Sequence, residues 1–446
     1  MKILIITKSF APDSDIGSKR PSYFAKYLME YGHDVSVIRS GIITTKPDKE
    51  LADDIRNCHI YSYEGDNSDA DRYDRGEYIQ KTKNERIIQR KKDTMIKKCA
   101  RTLYYNIKGI FSFYFRNGRR IRRMILNTYN KSPELKGFDV VLSVYGFIGC
   151  IQAGKIISQK EKCGWIVDFK DLMDRSNYPL LLRTINSFAQ KSYLRQADCC
   201  LCVSEGNTTR LAASYRGKFA SKVFCINNGY IKQTQIIAPD RINDKLRICY
   251  TGSLYRGKSD CGPLYRALKS SNISAEMVII DYAGKDSEIM LKQAKEYGYE
   301  GSIIDHHIIS RTETARIQAA SDLFLVLSWN NKRDQGILTG KFYEALQHRK
   351  PVLALVSGDV PNSELKMLID NYHLGFCYEE TDEPNSIVAL STFLREQYQR
   401  KMAGTPIEYD PDEKVFSRFE YGNIVRELEK RMNEVKKGNG KKQDWN

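Results

Sequence analysis

Short apolar runs alternate with longer stretches of helical spacing along most of the chain, the pattern of parallel α/β sheets. Met1–Thr7 reads as a first strand, followed by a glycine-containing turn and a helix from about Pro21 to Tyr31. HDVSVIR (His33–Arg39) is a second strand, with a short strand near His59–Ser62. Phe138–Val144, Gly164–Phe169, Asp198–Ser204 and Val223–Ile226 complete one doubly wound domain. A second series runs through LRICYTGS (Leu246–Ser253), MVIIDYAG, SIIDHHII, LFLVLS and PVLALV. The expected boundaries are therefore a domain at 1–230, a linker at 231–245 and a second domain at 246–410. A C-terminal helix at 411–436 is expected to pack back on the first domain, ahead of a disordered tail at 437–446. At 446 residues and 41% apolar content the chain has enough material for two cores.

Asp334–Ala354, DQGILTGKFYEALQHRKPVLA, carries the clearest chemistry. A glycine-containing turn leads into a helix with Lys341 in its first turn and Glu344 three positions on, on the same face. The helix start offers unpaired N–H groups and a positive dipole end to a phosphate, and the carboxylate can accept from sugar hydroxyls. A Walker A loop needs four residues between its first glycine and its Gly-Lys pair, then Ser or Thr. Here three residues separate Gly336 from Gly340 and Phe342 follows Lys341, so this is not a P-loop. No GxGxxG follows the first strand, which argues against a nicotinamide or flavin enzyme.

The formal charge of +16 is concentrated. Between Lys81 and Arg123 fifteen Lys or Arg face two acids, Glu85 and Asp93, around a block of aromatic and aliphatic residues. Two readings stand side by side: a segment lying on an anionic membrane surface, or an amphipathic helix packed on its own domain with a solvated basic face. No RNP, helix-turn-helix or finger signature points to nucleic acid. The eleven cysteines show no zinc-like spacing and are expected as free thiols, and no metal or cofactor is implied. The longest mostly apolar run, roughly Val140–Ala153, falls short of a membrane span, and MKILIITKSF is unlike a signal peptide. These readings place the chain in the cytoplasm, with a peripheral position on the inner face of the membrane left open.

Taken together these segments resemble retaining family 4 glycosyltransferases of bacterial polysaccharide synthesis. The resemblance implies α/β architecture with two Rossmann-like, doubly wound parallel-sheet domains facing a cleft (GT-B). In FAPDSDIGSKRPSYFAKYLMEYGHDVSVI (Phe10–Ile38), Gly17-Ser18 stands where relatives often have paired glycines, and Arg20 or Lys19 can neutralise charge on a substrate. GWIVDFKDLMD (Gly164–Asp174) is similar to a W-x-x-D-F-R-D segment. It implies Asp171, or else Asp168, as the carboxylate beside the reacting sugar, without the histidine that many relatives have there. YTGSLYRGKSD (Tyr250–Asp260) implies Arg256 and Lys258 as ligands of the donor's diphosphate. In the TGKFYEAL segment Thr339, Gly340 and Lys341 fall at the phosphate-facing turn and Glu344 at the nucleotide ribose. Gly336 stands where relatives carry a further glutamate directed at the donor sugar. The implied activity moves a sugar from a nucleotide-diphosphate donor to a surface glycan, with a lipid-linked acceptor, retention and no metal. Alternatives are a nucleotide-sugar 2-epimerase of the same fold and a non-catalytic membrane-associated relative.

Overall fold

The computed structural model describes residues 1–43, 47–63, 104, 107–176, 178–232, 245–255 and 257–443. The chain divides into two compact units. Unit 1 comprises Met1–Val203, Thr208–Ile226 and Val425–Asn446; unit 2 comprises Ser204–Asn207 and Asn227–Ile424. Most of the expected linker, 233–244, lies outside the described residues, as do 81–103 of the basic segment and Arg256.

Unit 1 is built on seven parallel strands: β1 (Lys2–Ile6), β2 (Asp34–Ser40), β3 (His59–Tyr63), β4 (Val140–Val144), β5 (Gly164–Phe169), β6 (Cys199–Cys202) and β7 (Val223–Cys225). Their order is β3-β2-β1-β4-β5-β6-β7. The order reverses between β1 and β4, so the crevice beyond the carboxyl ends of those strands is the natural ligand position. β4, β5 and β6 are buried along their whole length, which is why each reads as an unbroken apolar run rather than an alternation. The cysteines of β6 pack as small apolar groups, and burial pushes the Cys199 thiol up to about 12.

Helix α1 (Ile16–Glu30) begins a turn earlier than Pro21 suggests. Proline lacks an N–H, so the bond it would give to the carbonyl of Gly17 is absent. Gly17, Ser18 and Arg20 consequently lie in the opening turns of a helix rather than in a loop. A short helix, α2 (Lys49–Asp54), precedes β3. Next come a π-helical segment (Phe111–Gly118), α3 (Arg119–Lys131), α4 (Ile148–Glu161) between β4 and β5, and α5 (Leu180–Gln196) between β5 and β6. These connections advance in one direction along the sheet, and right-handed crossovers put them on one face. Ile125, Ile151 and Leu194 accordingly share one core cluster with Val141 and Val167. α6 (Glu205–Ala212) follows β6.

Unit 2 has six parallel strands in the order β10-β9-β8-β11-β12-β13. They are β8 (Leu246–Thr251), β9 (Val278–Ala283), β10 (Ile303–Asp305), β11 (Leu323–Trp329), β12 (Val352–Ser357) and β13 (Gly375–Glu379). The reversal falls between β8 and β11. Its helices are α7 (Gly262–Ser270), α8 (Ser287–Tyr297), α9 (Arg311–Ala320), α10 (Gly340–Gln347), α11 (Glu364–Asn371), α12 (Glu383–Met402) and α13 (Lys414–Phe419). Two core clusters sandwich the sheet: Leu325 and Leu355 face one, Phe324 and Val356 the other. The last helix, α14 (Tyr421–Gln443), extends through most of the expected tail, and 444–446 lie outside the described residues. Within unit 1 its Glu429 meets His33 at 2.9 Å and its Lys436 meets Asp139 at 2.9 Å.

Candidate functional site

In unit 2 the carboxyl ends of β8 and β11 and the start of α10 converge at the strand-order reversal. Lys341 Nζ lies 3.2 Å from Glu344 Oε1 and 3.3 Å from Oε2. Glu344 Oε2 also accepts from Thr251 Oγ1 at 3.2 Å, where β8 ends, and from Gln318 Nε2 at 2.8 Å. The Gln318 amide bridges the two by donating to Thr251 Oγ1 as well, at 2.8 Å. Gln318 and Thr251 are buried, so this network fixes the carboxylate from behind while Lys341 and Glu344 stay part-exposed. The lysine stem runs over Gly252, where a β-carbon would come within 2.4 Å of Lys341 Cε. Gly252 also sits at φ +148°, which other residues rarely adopt. Thr251, Gly252 and Gln318 escaped the sequence reading: each is separated in the chain from the motif it supports, and only the sheet order brings them to it.

Thr339 is the N-cap of α10, yet its hydroxyl caps nothing and has no hydrogen-bond partner. The helix start is thus open where a side-chain cap normally satisfies one of its N–H groups. Burial holds the His348 imidazole at the other end of α10 down to about 4, against the opposing pull of Glu344. The imidazole itself is therefore neutral at physiological pH.

Lys258 lies in the loop after β8, its Nζ 3.3 Å from Asp334 Oδ2 and 4.2 Å from the ring centre of Trp329. Tyr255 meets the same indole edge-on at 5.7 Å. Asp334 is buried, so Lys258 is partly neutralised at rest. Gly336 has φ +68°, and a β-carbon there would sit 2.6 Å from Ser204 Oγ and 2.9 Å from Glu364 Oε2. The position therefore does not accommodate the glutamate that the family resemblance implies there. The carboxylate beside it belongs to Glu364, which accepts from the backbone N–H groups of Glu205 (2.9 Å) and Gly206 (2.8 Å). Burial raises the Glu364 carboxyl against those bonds.

In unit 1 the predicted charges pair with one another. Arg20 Nε and Nη2 donate to Asp168 Oδ2 and Oδ1 at 2.8 and 2.9 Å, with side chains 3% and 0% exposed. This is a bidentate, fully buried pair. Asp171 is half-exposed and lies 3.2 Å from Arg175. Ser18 is buried and donates to the carbonyl oxygens of Asp13 and Asp15, tying the loop to the helix start. A β-carbon at Gly17 would sit 2.9 Å from Lys170 Nζ and 3.0 Å from Asp15 Oδ2. The glycine thus lets Lys170, at the end of β5, approach α1.

No group of His, Cys, Asp and Glu among the described residues has the arrangement of a metal site. No described helix is long and apolar enough to cross a membrane.

No family model and no curated protein matches the chain. Solved structures do. Anabaena Alr3699/HepE in complex with UDP superposes with a TM-score of 0.59 at 13% identity, covering 97% of this chain and 100% of that one. Sucrose-phosphate synthase from Thermosynechococcus elongatus gives 0.57 at 11% identity, covering 98% and 99%. A Listeria monocytogenes protein described as a putative UDP-N-acetylglucosamine 2-epimerase gives 0.51 at 12% identity, covering 96% and 94%. At these identities the likeness fixes the architecture: the chain has the GT-B fold, two Rossmann-like parallel-sheet domains.

Proposed function

We propose that the protein is a glycosyltransferase that moves a sugar from a nucleotide-diphosphate donor to a surface glycan with a lipid-linked acceptor, retaining the anomeric configuration. The observation that carries this reading is the Lys341–Glu344–Gln318–Thr251 network at the strand-order reversal of unit 2. Glu344, held from behind, presents its part-exposed edge to the ribose hydroxyls. Lys341 and the open start of α10 meet the diphosphate, where cationic and N–H donors stabilise negative charge as the leaving group departs. Lys258 joins them by exchanging Asp334 for phosphate, and Arg256 from the same loop adds a second cation. These cations neutralise the leaving diphosphate without a metal, and the diphosphate itself takes the acceptor's proton on the same face. The HepE complex with UDP, on the same architecture, supports a nucleotide ligand.

In unit 1 Asp168 is spent on Arg20, which leaves Asp171 to orient an acceptor hydroxyl. Gly17 and Ser18 shape the turn that approaches the substrate. The basic segment at 81–123 serves an anionic membrane surface, where a lipid-linked acceptor is found. An epimerase of this fold remains the competing enzyme, since one structural neighbour carries that description.

A melting-temperature panel with UDP, GDP, ADP, CMP and dTDP tests the reading, because a ligand that binds the native state raises that temperature. One nucleotide should raise it in the native protein and not in Lys341→Ala or Glu344→Ala. No shift with any nucleotide overturns the proposal, and interconversion of a UDP-sugar without acceptor favours the epimerase.

A further inference from the structure

Within unit 1 the π-helical segment and α5 lie side by side. Tyr114 donates to Asn186 Oδ1 at 2.7 Å, and a β-carbon at Gly109 would meet Leu182 Cδ2 at 3.9 Å. Their inner sides are committed: Phe113 and Tyr114 pack on the core, and Leu182, Asn186 and Leu194 are buried. Their outer sides are not. Ile107, Phe111 and Phe115 stand in water at four-residue steps, with Phe111 61% exposed and stacked on Phe115 at 5.8 Å. On α5 Leu180, Leu181 and Phe188 are exposed likewise, Phe188 by 68%. Six large apolar side chains on adjacent helices of one sheet face leave apolar surface on the order of several hundred Å² in water, the range that marks an interaction site.

The charge on the two helices themselves has one sign. The same four-residue stripe continues from Phe115 to Arg119 and Arg123, both exposed, and α5 ends with Lys191 and Arg195. Across residues 107–131 and 180–196 there are ten Lys or Arg and no Asp or Glu. Each of the two therefore has an apolar start and a basic end. A second copy of this chain would set ten cations against ten, and like charges across an interface are costly. An anionic lipid surface takes both parts: apolar side chains enter the acyl boundary and cations stay at the headgroups.

We infer that this two-helix face is the site by which the protein docks on an anionic lipid bilayer. The inference rests on the membrane-surface reading above but assigns it to a defined face, half of which, α5, lies far from the basic segment in sequence. The structure also divides the two readings of that segment between its own sides: Phe113 and Tyr114 pack on the domain, while Phe111 and Phe115 are left for the lipid.

Flotation of the full chain with phosphatidylcholine vesicles, with and without phosphatidylglycerol, tests it. Binding should require phosphatidylglycerol and fall with added salt. Phe111→Ser with Phe188→Ser should weaken it about tenfold or more. Arg119→Gln with Arg123→Gln should do the same, at about fivefold per charge. The melting temperature and its shift by nucleotide should be unchanged in both variants, which separates this surface from the donor site. Absence of vesicle binding by the native chain overturns the inference, and so does binding that none of the four substitutions weakens. A native dimer that these substitutions dissociate, without vesicle binding, assigns the face to self-association instead. Vesicle binding without any nucleotide response would refute the transferase reading and leave this one standing.

Discussion

The two units solve the same topological problem and use their charges in opposite ways. Each sheet reverses its strand order once, between β1 and β4 in unit 1 and between β8 and β11 in unit 2. Beside the first, Arg20 and Asp168 close on each other in a buried bidentate pair. At the second, Lys341 and Glu344 touch each other but remain part-exposed, backed by the buried Gln318 and Thr251. A pair sealed from water holds structure, because neither charge can leave without stranding the other. A pair fixed on one side and open on the other is ready to exchange its internal contact for a ligand. Burial, not residue type, separates the two.

The comparison breaks most readily in unit 1. Arg20→Ala leaves the Asp168 carboxylate buried and unpaired and should cost about 3–5 kcal/mol in denaturant unfolding. The double variant Arg20→Met with Asp168→Leu should recover much of that loss. A small effect of Arg20→Ala would mean that the pair is not sealed.

In unit 2 Lys341→Ala should lower nucleotide affinity by about 2 kcal/mol, roughly thirtyfold in titration calorimetry, through a lost charge-assisted contact. Its stability should change by less than about 0.5 kcal/mol, since the ion pair is part-exposed. Gly252→Ala acts on the same contact indirectly. Its side chain claims the space of the Lys341 stem at an unfavourable φ, so affinity should drop about tenfold and stability by about 1–2 kcal/mol. Affinity that survives Gly252→Ala would uncouple the lysine from its glycine bed.

His348 gives the smallest effect. Burial lowers its pKa from 6.5 to about 4, so the unfolded chain takes up the proton first as pH falls. Its contribution is present above pH 6.5 and is lost as pH drops toward about 4. For a partly exposed imidazole that is roughly 1–2 kcal/mol. His348→Gln should flatten that part of the stability–pH curve, and an unchanged slope would place the titration elsewhere.

The fold was highly legible because fully buried parallel strands are continuous apolar runs. FLVLS in β11, flanked by Ser321-Asp322 and Asn330-Asn331, and VLALV in β12, flanked by Pro351 and Gly358, have the length and bounds of buried strands. The start of α1 was less so: Pro21 reads as a first helical residue, yet its missing N–H costs one bond, and the helix runs on to Ile16. The Lys341–Glu344 pair was legible since three residues is a local, helical distance. Gln318, Thr251 and Gly252 were not, because the first two reach Glu344 across 26 and 93 residues, Gly252 lies under the equally distant Lys341, and only strand order brings them together. Asp168 and Arg20, 148 residues apart, were each readable as charges near a substrate and not as partners.

By itself, then, the sequence determined what short range controls: two series of buried strands, a helix that opens with lysine and glutamate in register, and a basic aromatic stretch. Tertiary structure decided what each charge is for. It sealed Arg20 on Asp168, backed Glu344 with Gln318, filled the space beside Gly336 with Glu364, and set α5 beside Phe111 and Phe115. The physical reason is that solvent exposure, which sets whether a charge or an aromatic ring is structural or available, depends on neighbours distant in the chain.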